Sequence, residues 1–423
     1  MSGDHLRIVG GRPLMGAVSI AGAKNAALKI LAASILASEP VRISNLPHLQ
    51  DITTMLELLG ELGCDITILD QMEVEIDARR LQNLTVPYDL IKAMRASIVV
   101  LGPLLAKHGE ARVAFPGGCA IGSRPIDMHL DGLRALGAEI ELVDGFIHAV
   151  VPGGRLRGAH IHLHTVTVTG TENLLMAATL AEGTTVIHNA AREPEVVDLI
   201  HFLIEMGAKI EGAGTSKITI HGVSELQSAE YRVMPDRIEA GTYLVAGAMT
   251  HGCVTVQNVD VPSMSNILLK LSKAGAKITE QKNAITVDMR GRELLAVNIK
   301  TAPYPGFPTD MQAQFMAMDC IATGMSQIVE TIWENRFMHV PELQRLGANI
   351  RVKGNKVICI GVDKLHGAPV MASDLRASAC LVLAGLAAEG ETVIEGLHHM
   401  DRGYEYLEEK FSRLGAAIHR LSV

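Results

Sequence analysis

Leu346-Gly347-Ala348-Asn349-Ile350 is one of six versions of a single phrase. The others are Leu62-Gly63-Cys64-Asp65-Ile66, Leu136-Gly137-Ala138-Glu139-Ile140, Met206-Gly207-Ala208-Lys209-Ile210, Ala274-Gly275-Ala276-Lys277-Ile278 and Leu414-Gly415-Ala416-Ala417-Ile418. Their glycines stand 74, 70, 68, 72 and 68 residues apart, so six units of about 70 residues fill the chain. A fixed period of this length marks internal duplication. Ahead of the phrase runs an amphipathic segment of helical period, such as Met55-Leu56-Glu57-Leu58-Leu59-Gly60-Glu61-Leu62. The glycine then reads as a helix C-terminal cap, and the residues after it alternate as a strand, with Ile66, Ile68 and Ile278 at inward positions.

A second pattern lies upstream. Ala181-Glu182-Gly183-Thr184-Thr185-Val186-Ile187 matches Ala388-Glu389-Gly390-Glu391-Thr392-Val393-Ile394, a helix ending in glycine followed by a short strand. Each unit therefore reads helix, strand, loop, helix, strand and further strand. In successive units the loop before the second helix holds Asp51, Cys119 with Arg124, Arg192-Glu193-Pro194, Pro262-Ser263, Arg336 and Asp401-Arg402. Equivalent positions with different chemistry point to loops that face a site and loops that merely connect. Three units per domain put the crossing near residues 230–236.

Composition narrows the class. The 423 residues are 48% hydrophobic but only 3% aromatic, with Trp333 the single tryptophan, so the core must be built from Ala, Leu, Ile, Val and Met. A net charge of −8 with no dense Lys/Arg run argues against broad nucleic-acid binding. Six scattered cysteines without CxxC, and seventeen histidines without HExxH, argue against a disulfide framework and metal catalysis. The N-terminus lacks the pattern of a signal peptide, and no apolar stretch reaches the ~18–20 residues of a membrane span. The expectation is a soluble, cytoplasmic protein with no membrane insertion.

Several stretches carry chemistry. Gly117-Gly118-Cys119-Ala120-Ile121-Gly122-Ser123-Arg124-Pro125 holds a thiol between glycines, five residues before an arginine that opens a helix. Such a loop offers a nucleophile or proton donor beside an anion site; the alternative is a small buried cysteine. Lys24-Asn25 at the start of an Ala/Leu-rich helix suits an anion, against the alternative of a solvated lysine. Arg95 enters an apolar segment and needs a partner or a ligand. In Ala302-Pro303-Tyr304-Pro305-Gly306-Phe307-Pro308-Thr309-Asp310 the prolines stiffen the approach to a helix, with Asp310 as either its cap or a general base. Glu334-Asn335-Arg336-Phe337, Ser373-Asp374-Leu375-Arg376 and Asp401-Arg402-Gly403-Tyr404-Glu405 each place a guanidinium with an acid or amide at an expected helix entry. Clustered arginines suit a phosphate-rich ligand.

Taken in order along the chain, these motifs resemble the UDP-N-acetylglucosamine 1-carboxyvinyltransferase family. The sister shikimate-pathway transferases share the sixfold repeat without this cysteine loop. The resemblance implies an α/β (α+β) fold, a two-domain inside-out barrel of six βαβαββ repeats. One domain would span 22–233 and the other 1–21 with 234–423, the active site lying in the cleft between them. It implies enolpyruvyl transfer from phosphoenolpyruvate to the 3-hydroxyl of UDP-N-acetylglucosamine in peptidoglycan precursor synthesis, without a cofactor, by a monomer or weak homo-oligomer. Cys119, Asp310, Lys24 and Arg402 would be catalytic, with Lys24, Arg124 and Arg402 on phosphoenolpyruvate. Asn25 would meet the sugar, Arg95 the diphosphate side, and Arg124, Pro125, Ile126, Asp127 and Met128 the uridine. Thr167 and Thr169 would lie on the nucleotide side, in a loop that departs from the common Ser-Val-Gly-Ala-Thr of relatives. Ile332, Arg336, Asp374 and Arg376 complete the substrate-binding set.

Overall fold

A computed structural model describes residues 3–69, 72–116 and 126–422. The chain forms two compact units, one from residues 3–21 and 235–422 and the other from 22–116 and 126–234. Each has its own apolar core, built chiefly from Ala, Leu, Ile, Val and Met. The described residues form six four-stranded sheets, three per unit. In every sheet the first strand runs parallel to the second, and the other neighbours are antiparallel. The pattern is a βαβαββ unit six times over.

Three of these repeats are closed by strands from a remote part of the sequence. Glu230–Arg232 pairs in parallel with Val41–Ser44, and Met15–Ser19 pairs in parallel with Cys253–Gln257. His5–Val9 completes the sheet of Pro369–Met371, Glu391–Glu395 and Ala417–Leu421. The chain therefore starts in one unit, builds the other, and returns.

All six signature glycines have positive φ, between 93° and 106°. At each, the amide of the residue after the glycine reaches back to a carbonyl five residues earlier, as in Ala138 N to Leu133 O and Ala416 N to Phe411 O. These are Schellman ends, and they need a residue without Cβ strain in the left-handed region. The strand that follows is always an edge strand. That position corrects one expectation: Ile68 is 75% exposed, and Ile66 and Ile278 are only partly buried. Ile68 sits opposite Val74 on the face expected, but an edge strand has a neighbour on one side only.

The first helix of each repeat lies inside and the sheets outside. Arg237–Met249 and Gln312–Asp319 are buried at every position. Leu375–Ala387, Lys24–Ala33 and Val168–Ala178 are buried almost throughout. A helix apolar on all sides belongs in a core. Small side chains let the backbones approach: a methyl group on Gly102 would overlap the carbonyl of Asn173. The second helices show one buried face, as in Gln50–Leu62, where Ile52, Met55, Leu59 and Leu62 point inward. Among the described residues no helix is long and apolar enough to cross a membrane.

Candidate active site

In the unit of residues 22–234, the buried helix Lys24–Ala33 opens at Lys24, and no side chain caps its first turn. Lys24 is not a solvated lysine. Its Nζ stands 2.7 Å from Asp51 Oδ2, and both side chains are largely buried. Asp51 sits in the first turn of Gln50–Leu62, which packs against the lysine's helix. The Asn25 carbonyl accepts from Lys29 Nζ at 2.9 Å, leaving the amide side chain partly exposed in the same turn. Arg95 opens the 3-10 helix Arg95–Val100, which also packs on Lys24–Ala33. Close by is His129, whose pKa is pushed down to about 4 by burial and by Arg95. Its neutral Nδ1 accepts from Asn173 Nδ2 at 3.1 Å.

Ile126 is the buried N-cap of Asp127–Ala135, with Asp127 exposed and Met128 partly buried behind it. Thr167 caps Val168–Ala178 through Oγ1, which accepts from Gly170 N at 3.2 Å, and Thr169 stands partly exposed in the first turn. Cys119, Arg124 and Pro125, with the helix opening expected at the last two, lie outside the described residues.

In the other unit the carboxylate of Asp310 is the focus. Arg336 Nη2 donates to Oδ1 at 2.7 Å and Arg376 Nη2 to Oδ2 at 3.1 Å. Burial alone would raise this carboxyl, but Arg376 and Arg336 outweigh it and hold the pKa well below the usual carboxylate range. The capping alternative for Asp310 does not hold, because the N-cap here is Pro308 and makes no side-chain cap. A carboxylate so stabilised is a weak base but a fixed, ionised hydrogen-bond acceptor.

Around it the central helices are tied together. Arg376 Nη1 donates to Tyr404 Oη at 3.3 Å, and Tyr404 Oη lies 2.9 Å from Thr242 Oγ1 and 3.3 Å from Gln314 Nε2. Asp374 is a helix cap, accepting from the amides of Arg376 at 2.9 Å and Ala377 at 3.0 Å. Its neighbour His339 is buried, with its pKa pushed down to about 4 by desolvation. The Ile332 amide donates 2.9 Å to Glu330 Oε1. Arg402 is partly buried at the end of the 3-10 helix Leu397–Arg402, rather than at a helix entry as expected, and the next helix begins at Leu407. Asp401 beside it is committed to Arg420, at 2.6 and 3.0 Å. Arg336 likewise precedes its helix, Val340–Arg345, by a turn.

The fold brings Asp310, Arg336 and Arg376 together and pairs Lys24 with Asp51. The sequence pattern gives Asp51 no partner and does not single out Glu330 or Thr242. Asp51 and Lys24 open two helices of one repeat, and that equivalence was the available signal. Glu330 directly follows the strand Met325–Val329, four residues ahead of the Glu334-Asn335-Arg336-Phe337 motif, and no spacing singles it out.

A family model for EPSP synthase (3-phosphoshikimate 1-carboxyvinyltransferase) matches residues 8–411. The chain belongs to this enolpyruvyl transferase family. Within the family, UDP-N-acetylglucosamine 1-carboxyvinyltransferases of Coxiella burnetii strains Dugway 5J108-111 and RSA 493 are each 60% identical over 419 residues, covering 99% of this chain and 96% of theirs. Among solved transferases, NikO from Streptomyces tendae is 27% identical with a TM-score of 0.90, and the match covers 100% of both chains. An EPSP synthase from Acinetobacter baumannii is 18% identical with a TM-score of 0.78, over 99% of this chain and 100% of that one, and shares the fold. The enolpyruvyl transferase architecture, an inside-out barrel in each of two domains, is the one described above.

Proposed function

We propose that the protein transfers the enolpyruvyl group of phosphoenolpyruvate to the 3-hydroxyl of UDP-N-acetylglucosamine and releases phosphate. What carries this reading is the 60% identity to UDP-N-acetylglucosamine 1-carboxyvinyltransferases across 99% of the chain. The sugar hydroxyl gives up its proton toward Asp310 as its oxygen adds to C2 of phosphoenolpyruvate and C3 takes a proton. The tetrahedral ketal then loses a C3 proton and its C2–O phosphate bond, leaving an enolpyruvyl ether. This is the first committed step of peptidoglycan precursor synthesis, and both substrates place the protein in the cytoplasm. It works as a monomer or weak homo-oligomer and needs no cofactor.

The roles follow from charge. Phosphoenolpyruvate is held by Lys24, Arg124 and Arg402, whose positive charge also stabilises the ketal. Asp51 keeps Lys24 extended toward its ligand. Asp310 receives the acceptor hydroxyl; its weak basicity makes placement, more than proton affinity, its contribution. Cys119 supplies the C3 proton and can form a thiol adduct with phosphoenolpyruvate. Asn25 and Ile332 meet the sugar. Arg95 serves the diphosphate, and Ile126, Asp127, Met128, Thr167 and Thr169 with Arg124 and Pro125 serve the nucleotide. Arg336, Arg376 and Asp374 hold Asp310 and its helix in register.

The reaction run in deuterium oxide tests the chemistry. Addition–elimination places deuterium in the methylene of the ether product, read by proton NMR. An ether formed without exchange would contradict the ketal route. Cys119→Ser should cut turnover by about a hundredfold or more. Cys119→Asp should keep activity and abolish inactivation by the epoxide fosfomycin, and an active serine variant would remove the acid role.

A further inference from the structure

Glu330 stands directly after the strand Met325–Val329, is 2% exposed, and is not among the substrate-binding or catalytic residues above. Its carboxylate is nevertheless surrounded by donors. Oε1 accepts from Thr301 Oγ1 at 2.8 Å, Ile332 N at 2.9 Å, Thr309 Oγ1 at 3.1 Å and Trp333 N at 3.3 Å. Oε2 lies 3.0 Å from Thr309 Oγ1 and 3.3 Å from Gln312 Nε2. A carboxylate is the one side chain that accepts from so many directions at once.

The partners are what make this cluster functional. A hydroxyl has a single hydrogen. With that hydrogen given to Glu330, Thr309 turns its lone pairs outward, and Arg336 Nη1 donates to it at 2.9 Å. The same guanidinium reaches Asp310 with its other nitrogen. Gln312 Nε2 also donates to the Arg336 carbonyl at 2.9 Å. Glu330 therefore sets the direction of Thr309, through it the tilt of Arg336, and through that the carboxylate of Asp310. By a second route it fixes the Ile332 amide.

We infer that Glu330 is a positioning residue for acceptor activation: it fixes Arg336 and Asp310 through Thr309, and the Ile332 amide directly, without touching substrate. The inference rests on the proposed transfer reaction. Glutamine at this position replaces an acceptor oxygen with a donor pointed at other donors, and the relay loses its register.

The test compares four variants of the full-length protein in steady-state transfer from phosphoenolpyruvate to UDP-N-acetylglucosamine. Glu330→Gln and Thr309→Val are expected to lower kcat by about ten- to a hundredfold, with KM for phosphoenolpyruvate moving less than about threefold. Thr309→Ser keeps the hydroxyl and should recover kcat to within about threefold of wild type. Thr301→Val removes another hydroxyl donor to Glu330, away from Asp310, and should leave kcat within about twofold whatever it does to thermal stability. Equal losses for Thr301→Val and Thr309→Val, or a Glu330→Gln variant with wild-type kcat, would overturn the inference. If Glu330→Gln does not fold, the threonine series decides alone. A wild-type protein that turns over no UDP-N-acetylglucosamine refutes the reaction itself, a result distinct from a wild type that works and a relay that does not matter.

Discussion

Asp310 has a guanidinium on each of its oxygens, and this arrangement separates two jobs that a catalytic carboxylate can do. Held well below the usual carboxylate range, it stays ionised, a state better suited to orienting a hydroxyl than to removing its proton. Asp310→Asn is expected to lower kcat by about a hundredfold or more, checked by steady-state rates on protein with a native circular dichroism spectrum. A kcat within about threefold of wild type would take Asp310 out of the chemistry. At this scale the sequence showed its cations and acids clearly, because Asp310, Arg336 and Arg376 stand beside prolines, glycines and helix starts. It could not show who pairs with whom. Asp51 faces Lys24, and Glu330 faces Thr309, across gaps of 27 and 21 residues that only folding closes. Tyr404 was visible in its motif, but its hydroxyl meets Thr242 and Gln314 on two distant helices.

The repeat was legible at the level of elements for a mechanical reason. A helix that must reverse into a strand needs a left-handed residue at its end, and glycine is the residue that takes it without strain. Six such ends wrote six glycines into the sequence. The first strands of the repeats left no comparable trace, since Thr85–Val86 and Ile299–Lys300 are too short to show a period. Nor does any local pattern show that Glu230–Arg232 completes a sheet begun near residue 41. Two glycines separate conformational cost from packing cost. A methyl on Gly207 meets nothing within 4 Å, so Gly207→Ala should cost about 1 kcal/mol from backbone strain alone. A methyl on Gly222, whose φ lies outside the left-handed region, overlaps the carbonyl of Ala181, so Gly222→Ala should cost at least about 3 kcal/mol. Urea unfolding midpoints rank the two, and the reverse order would contradict the packing described.

At the scale of the molecule, both units bury acids within their cores. Glu172, facing Lys29, and Glu239, facing Lys410 at 2.5 Å, are pushed up to about 7 by burial despite their lysines, and Asp319 is pushed up to about 7 by burial as well. Unfolded, such groups titrate near pH ~4. Between those values the folded state binds more protons than the unfolded state, so the stability these groups contribute falls as pH rises from about 4 to 7. Glu172→Gln should remove a share of that slope on the order of 1–3 kcal/mol, measured by denaturant unfolding across this range. An unchanged slope would mean that Glu172 is ionised in the fold throughout. The proposed function turns on the acceptor, and phosphate release from phosphoenolpyruvate in metal-free buffer, with UDP-N-acetylglucosamine or shikimate 3-phosphate, tests it most directly. Release with UDP-N-acetylglucosamine alone, blocked by prior treatment with fosfomycin, is the predicted result. Release with shikimate 3-phosphate, or with neither acceptor, would contradict it.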